Sequence, residues 1–448
     1  MNTRRNFLKT ALSLSTMTAA GGFARLNLLN AMPVSSDPYR ALVCVFLYGG
    51  NDSNNMVVQL DPTLYSKYAA IRAGLALDPT TLLPFDTNKQ YGLHPMFKEV
   101  VAIAPNVAIV ANVGTLVQPT TRTDYLGNNV PVPDSLFSHA NQQGEWQTSD
   151  PAGLLTTGWG GRLADQMAHL NTGSYPTLVS VAGNSSFATG ATTHPGSVIP
   201  GQPIGLTGFG TDAASQARLT ALKTILGTDT VRTDAGAILL KQAGLNMQNA
   251  LADSDTLNAA LKGAAALKTV FPATSIGQQL QEIAKLIQVR DKLQMNRQIF
   301  FCSLGGFDTH TVELTTHNTL YSQLSPALAA FYQATEELNV ANDVTAFTES
   351  DFSRTLQPNS NGGTDHGWGG HHLVIGGAVK GATLYGTFPT LALNGPDDAG
   401  GEGRWVPTTA VDQYGATLAQ WFGLTPDKLP LVFPNIAKFP TNDVGFFG

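Results

Sequence analysis

The sequence predicts a doubly wound α/β domain with a mostly parallel sheet, and three observations carry that prediction. Short, continuous apolar runs recur along the chain, as strands buried on both faces require. Amphipathic helical patterns lie between several of them, the alternation that covers a sheet with helices. Clusters of Asp and His follow directly on three of the runs, and in an open α/β sheet the carboxyl ends of strands meet at one crevice.

The elements are taken from the N-terminus. Residues 1–31 read as a targeting segment and are set apart from fold reasoning. Thr3-Arg4-Arg5-Asn6-Phe7-Leu8-Lys9 is close to the full twin-arginine export pattern. The weakly apolar stretch from Thr10 to Phe23 is too short for a transmembrane helix. Small residues around Ala19–Ala24 and near Ala31 leave two regions for cleavage. The twin-arginine translocation machinery is thus an expected partner, and the periplasm or extracellular space the expected location. No other apolar run is long enough to span a bilayer.

The α/β domain is expected over residues 38–448. Its first strand is Ala41–Tyr48, closed by Gly49-Gly50. Further strands are expected at Val107–Ala111, Thr177–Val181, Gln298–Cys302, Val344–Thr348 and Leu373–Gly377. Residues 115–160 are polar and rich in Pro and Gly, which predicts a long ordered loop with a short helix near Ala140–Gln147. Residues 210–270 are Ala- and Leu-rich, with Asp212 and Asp234 near helix starts, and read as an inserted helical subdomain or lid. Ile276, Leu280, Ile283 and Ile287 share one helix face, as do Leu320, Leu324, Leu328 and Phe331, with Pro326 marking a kink or a fresh start. A last helix is expected near Val411–Phe422.

Composition sets bounds on function. The 448 residues are 43% hydrophobic, ample for a core, and only 13% charged, about half the usual share. Net charge is −6 and no long basic run is present, which argues against a phosphate-tracking nucleic-acid surface. Cys44 and Cys302, the only cysteines, sit inside strand runs and read as buried free thiols rather than a disulfide.

The chemistry is concentrated after three strands. Gly49-Gly50-Asn51-Asp52 and Gly305-Gly306-Phe307-Asp308-Thr309-His310 repeat one turn, in which glycines permit a sharp strand exit and the Asp enters the rim. Phe347-Thr348-Glu349-Ser350-Asp351 ends a strand with acids, and Arg354 follows. Gly362 to His372 then packs glycines around His366, His371 and His372. Carboxylates mixed with imidazoles at such a rim suit a divalent metal ion: Zn, Mn, Mg or Ca.

These motifs, in this order and over about residues 38–445, resemble a widespread bacterial family of twin-arginine-exported proteins of unknown function. That family is grouped with the alkaline phosphatase, sulfatase and cofactor-independent phosphoglycerate mutase superfamily. The resemblance implies an alkaline phosphatase-like fold and an exported metal-dependent hydrolase of small-molecule or polymeric phosphate or sulfate esters. The alternative is an exported binding or assembly protein that kept the fold without the chemistry. It implies metal ligands at Asp52, Asp308, His310 and Asp351, with His366, His371 and His372 competing for the last place and His366 and His372 favoured. Two departures stand out: a single Thr309 separates Asp308 from His310, and Phe352 follows Asp351 where relatives carry His. The implied nucleophile is Ser138, with Ser135 as runner-up, at the start of a helix that helps hold an anion. Arg354 or Arg162 is expected to clamp the ester oxygens. No Cys-Xaa-Pro-Xaa-Arg sulfatase motif is present.

Overall fold

The structure, a computed structural model, describes residues 38–448 other than 203, 207, 208, 211 and 227–234, and only the backbone of 235–240. The twin-arginine segment and Asp234 lie outside the described residues.

Twelve strands are described: β1 (Arg40–Tyr48), β2 (Val57–Gln59), β3 (Leu83–Pro84), β4 (Tyr91–Leu93), β5 (Val107–Gly114), β6 (Leu178–Ser180), β7 (Gly196–Ser197), β8 (Arg297–Gly305), β9 (Val344–Ser350), β10 (Gly370–Gly376), β11 (Thr383–Gly386) and β12 (Thr409–Ala410). All six expected strands form, within a few residues of their expected ends. Nine strands make one sheet in the order β11-β5-β10-β9-β1-β8-β6-β7, with β12 also on β5; β2, β4 and β3 make a small antiparallel sheet. Every pairing in the large sheet is parallel except those of β10, which runs against both β9 and β5. The protein is therefore a mixed α/β fold with a large, mostly parallel sheet.

The apolar runs are explained by burial on both faces. Alternate residues of β1 point to opposite sides, so Ala41, Val43, Val45 and Leu47 join one core and Leu42, Cys44 and Phe46 the other. Each large apolar side chain so buried contributes about 1.5–3 kcal/mol. On the first face the helix Ser275–Gln288, capped by Thr274, buries Ile276, Leu280, Ile283 and Ile287 beside the helix Glu313–Glu337. On the second lie the helices Trp159–Met167 and Val411–Phe422. Pro326 does not restart its helix, which continues from Glu313 to Glu337. Cys44 and Cys302 are buried and free, and they belong to opposite cores, so no disulfide can join them.

The Ala-rich region forms the helices Ala213–Leu226 and Ala235–Leu261, and Asp212 accepts from Ser215 N (2.9 Å) at the start of the first. Both fall within the one compact unit Tyr39–Gly448, where Leu257 and Ala260 reach the first core. The expected short helix runs from His139 to Thr148. No described helix is long and apolar enough to cross a membrane.

Candidate metal centre

Three adjacent parallel strands, β9, β1 and β8, end side by side and deliver Asp351, Asp52 and Asp308 to the same edge of the sheet. Gly49 makes this possible: its φ is +113°, and a Cβ there would strike the backbone nitrogen of Asp308. The two strand exits are thus pressed together, with Phe307 N donating to Tyr48 O (3.1 Å) and Gly49 N donating to Asp351 Oδ1 (3.1 Å).

Asp308 is the centre of an open cluster of imidazoles. Its Oδ1 lies 3.3 Å from His139 Nε2, 3.1 Å from His310 Nε2 and 3.5 Å from His366 Nε2. His310 Nε2 and His366 Nε2 are 3.0 Å apart. In each ring the other nitrogen faces a group that only accepts: His139 Nδ1 meets Asp351 Oδ2 (2.7 Å), His310 Nδ1 meets Asp365 Oδ1 (3.0 Å), and His366 Nδ1 meets the Phe137 carbonyl (2.6 Å). A neutral imidazole has one proton, and those acceptors place it on Nδ1. Three Nε2 lone pairs and a carboxylate oxygen therefore converge, and His139 Nε2 is buried without any hydrogen-bond partner. The chemistry of such a donor set fits a divalent cation. Carboxylate or carbonyl support behind each imidazole is the arrangement found around metal-ligating histidines.

Electrostatics follow from the same contacts. The hydrogen bond that His139 donates to the Asp351 carboxylate raises the His139 pKa, and burial lowers that of His366. Burial of Asp308 favours its protonated form, but the Arg354 guanidinium together with His139 and His310 outweighs this and holds the carboxyl below its usual range. Phe352 packs against the cluster, stacked on His366 (4.7 Å between centroids) and close to His139 (4.8 Å).

Several expected residues take other roles. Asp351 is fully buried and its oxygens are taken by Gly49 N, His139 and Gln143 Nε2 (2.8 Å), so it orients His139 from behind. Asp52 is paired with Arg72, away from the imidazoles, and with Glu313 and His317 forms a second, buried group. His372 does not join the cluster. It lies within β10 opposite Val110, packed on Trp146 (4.7 Å), and burial pushes its imidazole down to about 3. His371, on the opposite side of the strand, accepts from Asn112 N (3.1 Å) and is likewise pushed down to about 3 by burial.

The arginines are spent on the protein itself. Arg354 is fully buried and donates to Asp308 Oδ1 (2.9 Å), Gly49 O (3.4 Å), Thr364 Oγ1 (3.1 Å) and Thr364 O, so it fixes the Asp308 carboxylate instead of facing an ester. Arg162 donates to the Val432, Thr157 and Thr148 carbonyls. Ser138 is the N-cap residue of the helix that begins with His139, makes no capping bond, and donates to Asn141 Oδ1 (3.0 Å). Ser135 and Phe137 both have positive φ, and this contorted turn presents the Phe137 carbonyl to His366.

The sequence reading missed His139 and Gln143. Their i, i+4 spacing on a helix beginning at the rim was the available signal, since it puts both on one face. Arg72, Glu313 and His317 carried none, because each looks like an ordinary charged or polar helix residue.

Residues 39–399 match the family described as "Protein of unknown function (DUF1501)". The chain belongs to that family. No curated protein sequence matches it. Among solved structures it is similar to a sulfatase from Pseudoalteromonas sp. (9% identity, TM-score 0.35, covering 91% of this chain and 72% of that one). It is also similar to the phosphonate monoester hydrolase of Agrobacterium radiobacter (11%, 0.32, 88% and 77%) and to the lipoteichoic acid synthase of Listeria monocytogenes (8%, 0.34, 90% and 77%). These overlaps are loose.

Proposed function

We propose that the chain is an exported metal-dependent hydrolase of phosphate or sulfate esters, with the ion held by His139, Asp308, His310 and His366. One observation carries this reading: the three Nε2 lone pairs and the carboxylate oxygen that converge without a donor to satisfy them all. Imidazole-rich donor sets favour Zn or another transition ion over Mg or Ca. When bound, such an ion supplies Lewis acidity toward an ester oxygen. The chain's own residues orient the site: Asp351, Asp365 and the Phe137 carbonyl hold the three rings, and Arg354 holds Asp308. Ser138, adjacent to His139, is the proposed nucleophile.

Metal analysis of the purified protein, followed by a panel of phosphate and sulfate esters, tests the proposal. Bound metal that is lost in His139→Ala and in His366→Ala is expected, with ester cleavage reduced more by Ser138→Ala than by Ser135→Ala at unchanged metal content. Protein that takes no metal under any loading condition would sink it.

A second reading is favoured by a specific observation. Arg162 spends all five N–H donors on protein acceptors, and Arg354, fully buried, spends four of its five. An exported binding or assembly protein that keeps the metal centre without hydrolysis fits that fact, and it predicts metal without turnover across the same panel.

A further inference from the structure

Two groups of acidic and imidazole side chains among the described residues have ligand atoms within 4.8 Å of one another: His139, Asp308 and His366, and the buried Asp52, Glu313 and His317. They differ in one respect. The first is open, with about 46% of the Asp308 side chain and 43% of the His310 side chain exposed, whereas the second already contains a cation. We propose that Arg72 permanently takes the cation position between Asp52 and Glu313, so that the chain holds a single divalent ion, at the open cluster. This rests on the metal centre proposed above and specifies how many ions it serves.

The geometry is that of a filled site. The Arg72 side chain is fully buried, as are those of Asp52 and Glu313. A guanidinium has five N–H donors in a fixed fork. Arg72 Nε donates to Asn55 Oδ1 (3.0 Å), and Nη1 to the Thr355 (2.8 Å) and Leu356 (3.0 Å) carbonyls. Nη2 donates to Asp52 Oδ2 and to Glu313 Oε1 (2.9 Å). All five donors are thereby matched by acceptors from separate segments of the chain. An incoming ion would have to expel a buried, fully bonded charge, which would then lack both its carboxylates.

The pairing continues toward the open cluster. Thr364 Oγ1 donates to Glu313 Oε2 and accepts from Arg354 Nε, and Arg354 in turn donates to Asp308. Charges alternate along this line: Asp52 negative, Arg72 positive, Glu313 negative, Arg354 positive, Asp308 negative. Each buried charge has an opposite neighbour, the line carries one more negative charge than positive, and Asp308 is its exposed end. Charge balance thus points a cation to Asp308 and to no other carboxylate of the line. Arg72 is a positioning residue in this scheme, acting through Glu313, Thr364 and Arg354.

Counting ions tests the proposal. Metal-stripped full-length protein is loaded with Zn²⁺ alone, desalted and analysed for zinc per chain. One ion is expected in the wild type and also in Glu313→Gln, and two in Arg72→Ser, where Asp52 and Glu313 are released beside His317. Two ions in the wild type, one of them lost in Asp52→Asn, would overturn the inference while leaving the open metal centre standing. A folded Arg72→Ser chain that still takes one ion overturns the claim that the guanidinium is what excludes metal. Should that variant fail to fold, the wild-type count decides. Absence of zinc in the wild type overturns the proposed function itself, and the inference with it.

Discussion

At the scale of single residues, His366 and His372 show why imidazole counts mislead. Both lie in the same Gly-rich stretch, yet His366 stands in the loop before β10 and reaches Asp308, while His372 lies inside the strand. The difference is one of depth. Because β10 runs against its neighbours, its first residue, Gly370, pairs with Val113 near the carboxyl end of β5, and His372 is already opposite Val110. Replacing His372 by Ala should leave metal content unchanged, at a stability cost from lost packing on Trp146. Asp351→Asn should lower metal affinity about 10–100-fold, the usual effect of losing the support behind a ligating imidazole. Equilibrium dialysis distinguishes the two; equal losses would mean that Asp351 does not act through His139.

At the scale of elements, the stretch from Asn359 to His366 is built to hold two rings. Asn359 Nδ2 donates to the His310 carbonyl (3.0 Å), Asp365 meets His310 Nδ1, and Thr364 N donates to Thr309 O (3.0 Å). Gly363 lies so close that a Cβ there would strike the backbone of His310. Gly363→Ala should therefore cost about 1–3 kcal/mol, as overpacking does. It should also weaken metal binding, because His310 and His366 would move apart. Thermal melts with and without Zn²⁺ check this: a variant that gains as much from zinc as the wild type contradicts it.

At the scale of the molecule, buried acids set the response to pH. Burial raises Glu349 and Glu145 to about 8 and Asp412 to about 7. Glu349 accepts from Trp159 Nε1 (3.1 Å) and is otherwise enclosed beside Cys44. A carboxyl whose folded pKa lies above its unfolded value binds its proton more tightly in the folded state, so stability falls as pH rises between the two values. The protein should melt at progressively lower temperature from about pH 7 to pH 8, above the range in which the buried neutral imidazoles His94, His317, His371 and His372 impose the opposite slope. Glu349→Gln should flatten that slope while keeping the acceptor for Trp159. A wild-type melting temperature that rises over this range would show the acids to be ionised. The export proposal also belongs to this scale: changing Arg4 and Arg5 to Lys should retain the protein in the cytoplasm on fractionation, and normal delivery of that variant would mean another route.

The sequence alone determined the strands, because a run such as Ala41–Leu47 is buried on both faces and must be apolar throughout. It determined equally that Asp52, Asp308 and Asp351 share one edge, since each follows such a run and parallel strands end together. Only the tertiary structure decided which groups meet there. His139 arrives from a helix, and Arg72 and Glu313 from two more; the spacing of His139 and Gln143 is the one local sign among them, because the partners of all three lie far away in the chain. Periodicity reports which face of an element is buried, but pairing of charges depends on which elements abut. That is why Asp52, legible as a rim residue, turned out to be bound to a buried arginine, while Asp308 was left to face the Nε2 atoms of three imidazoles.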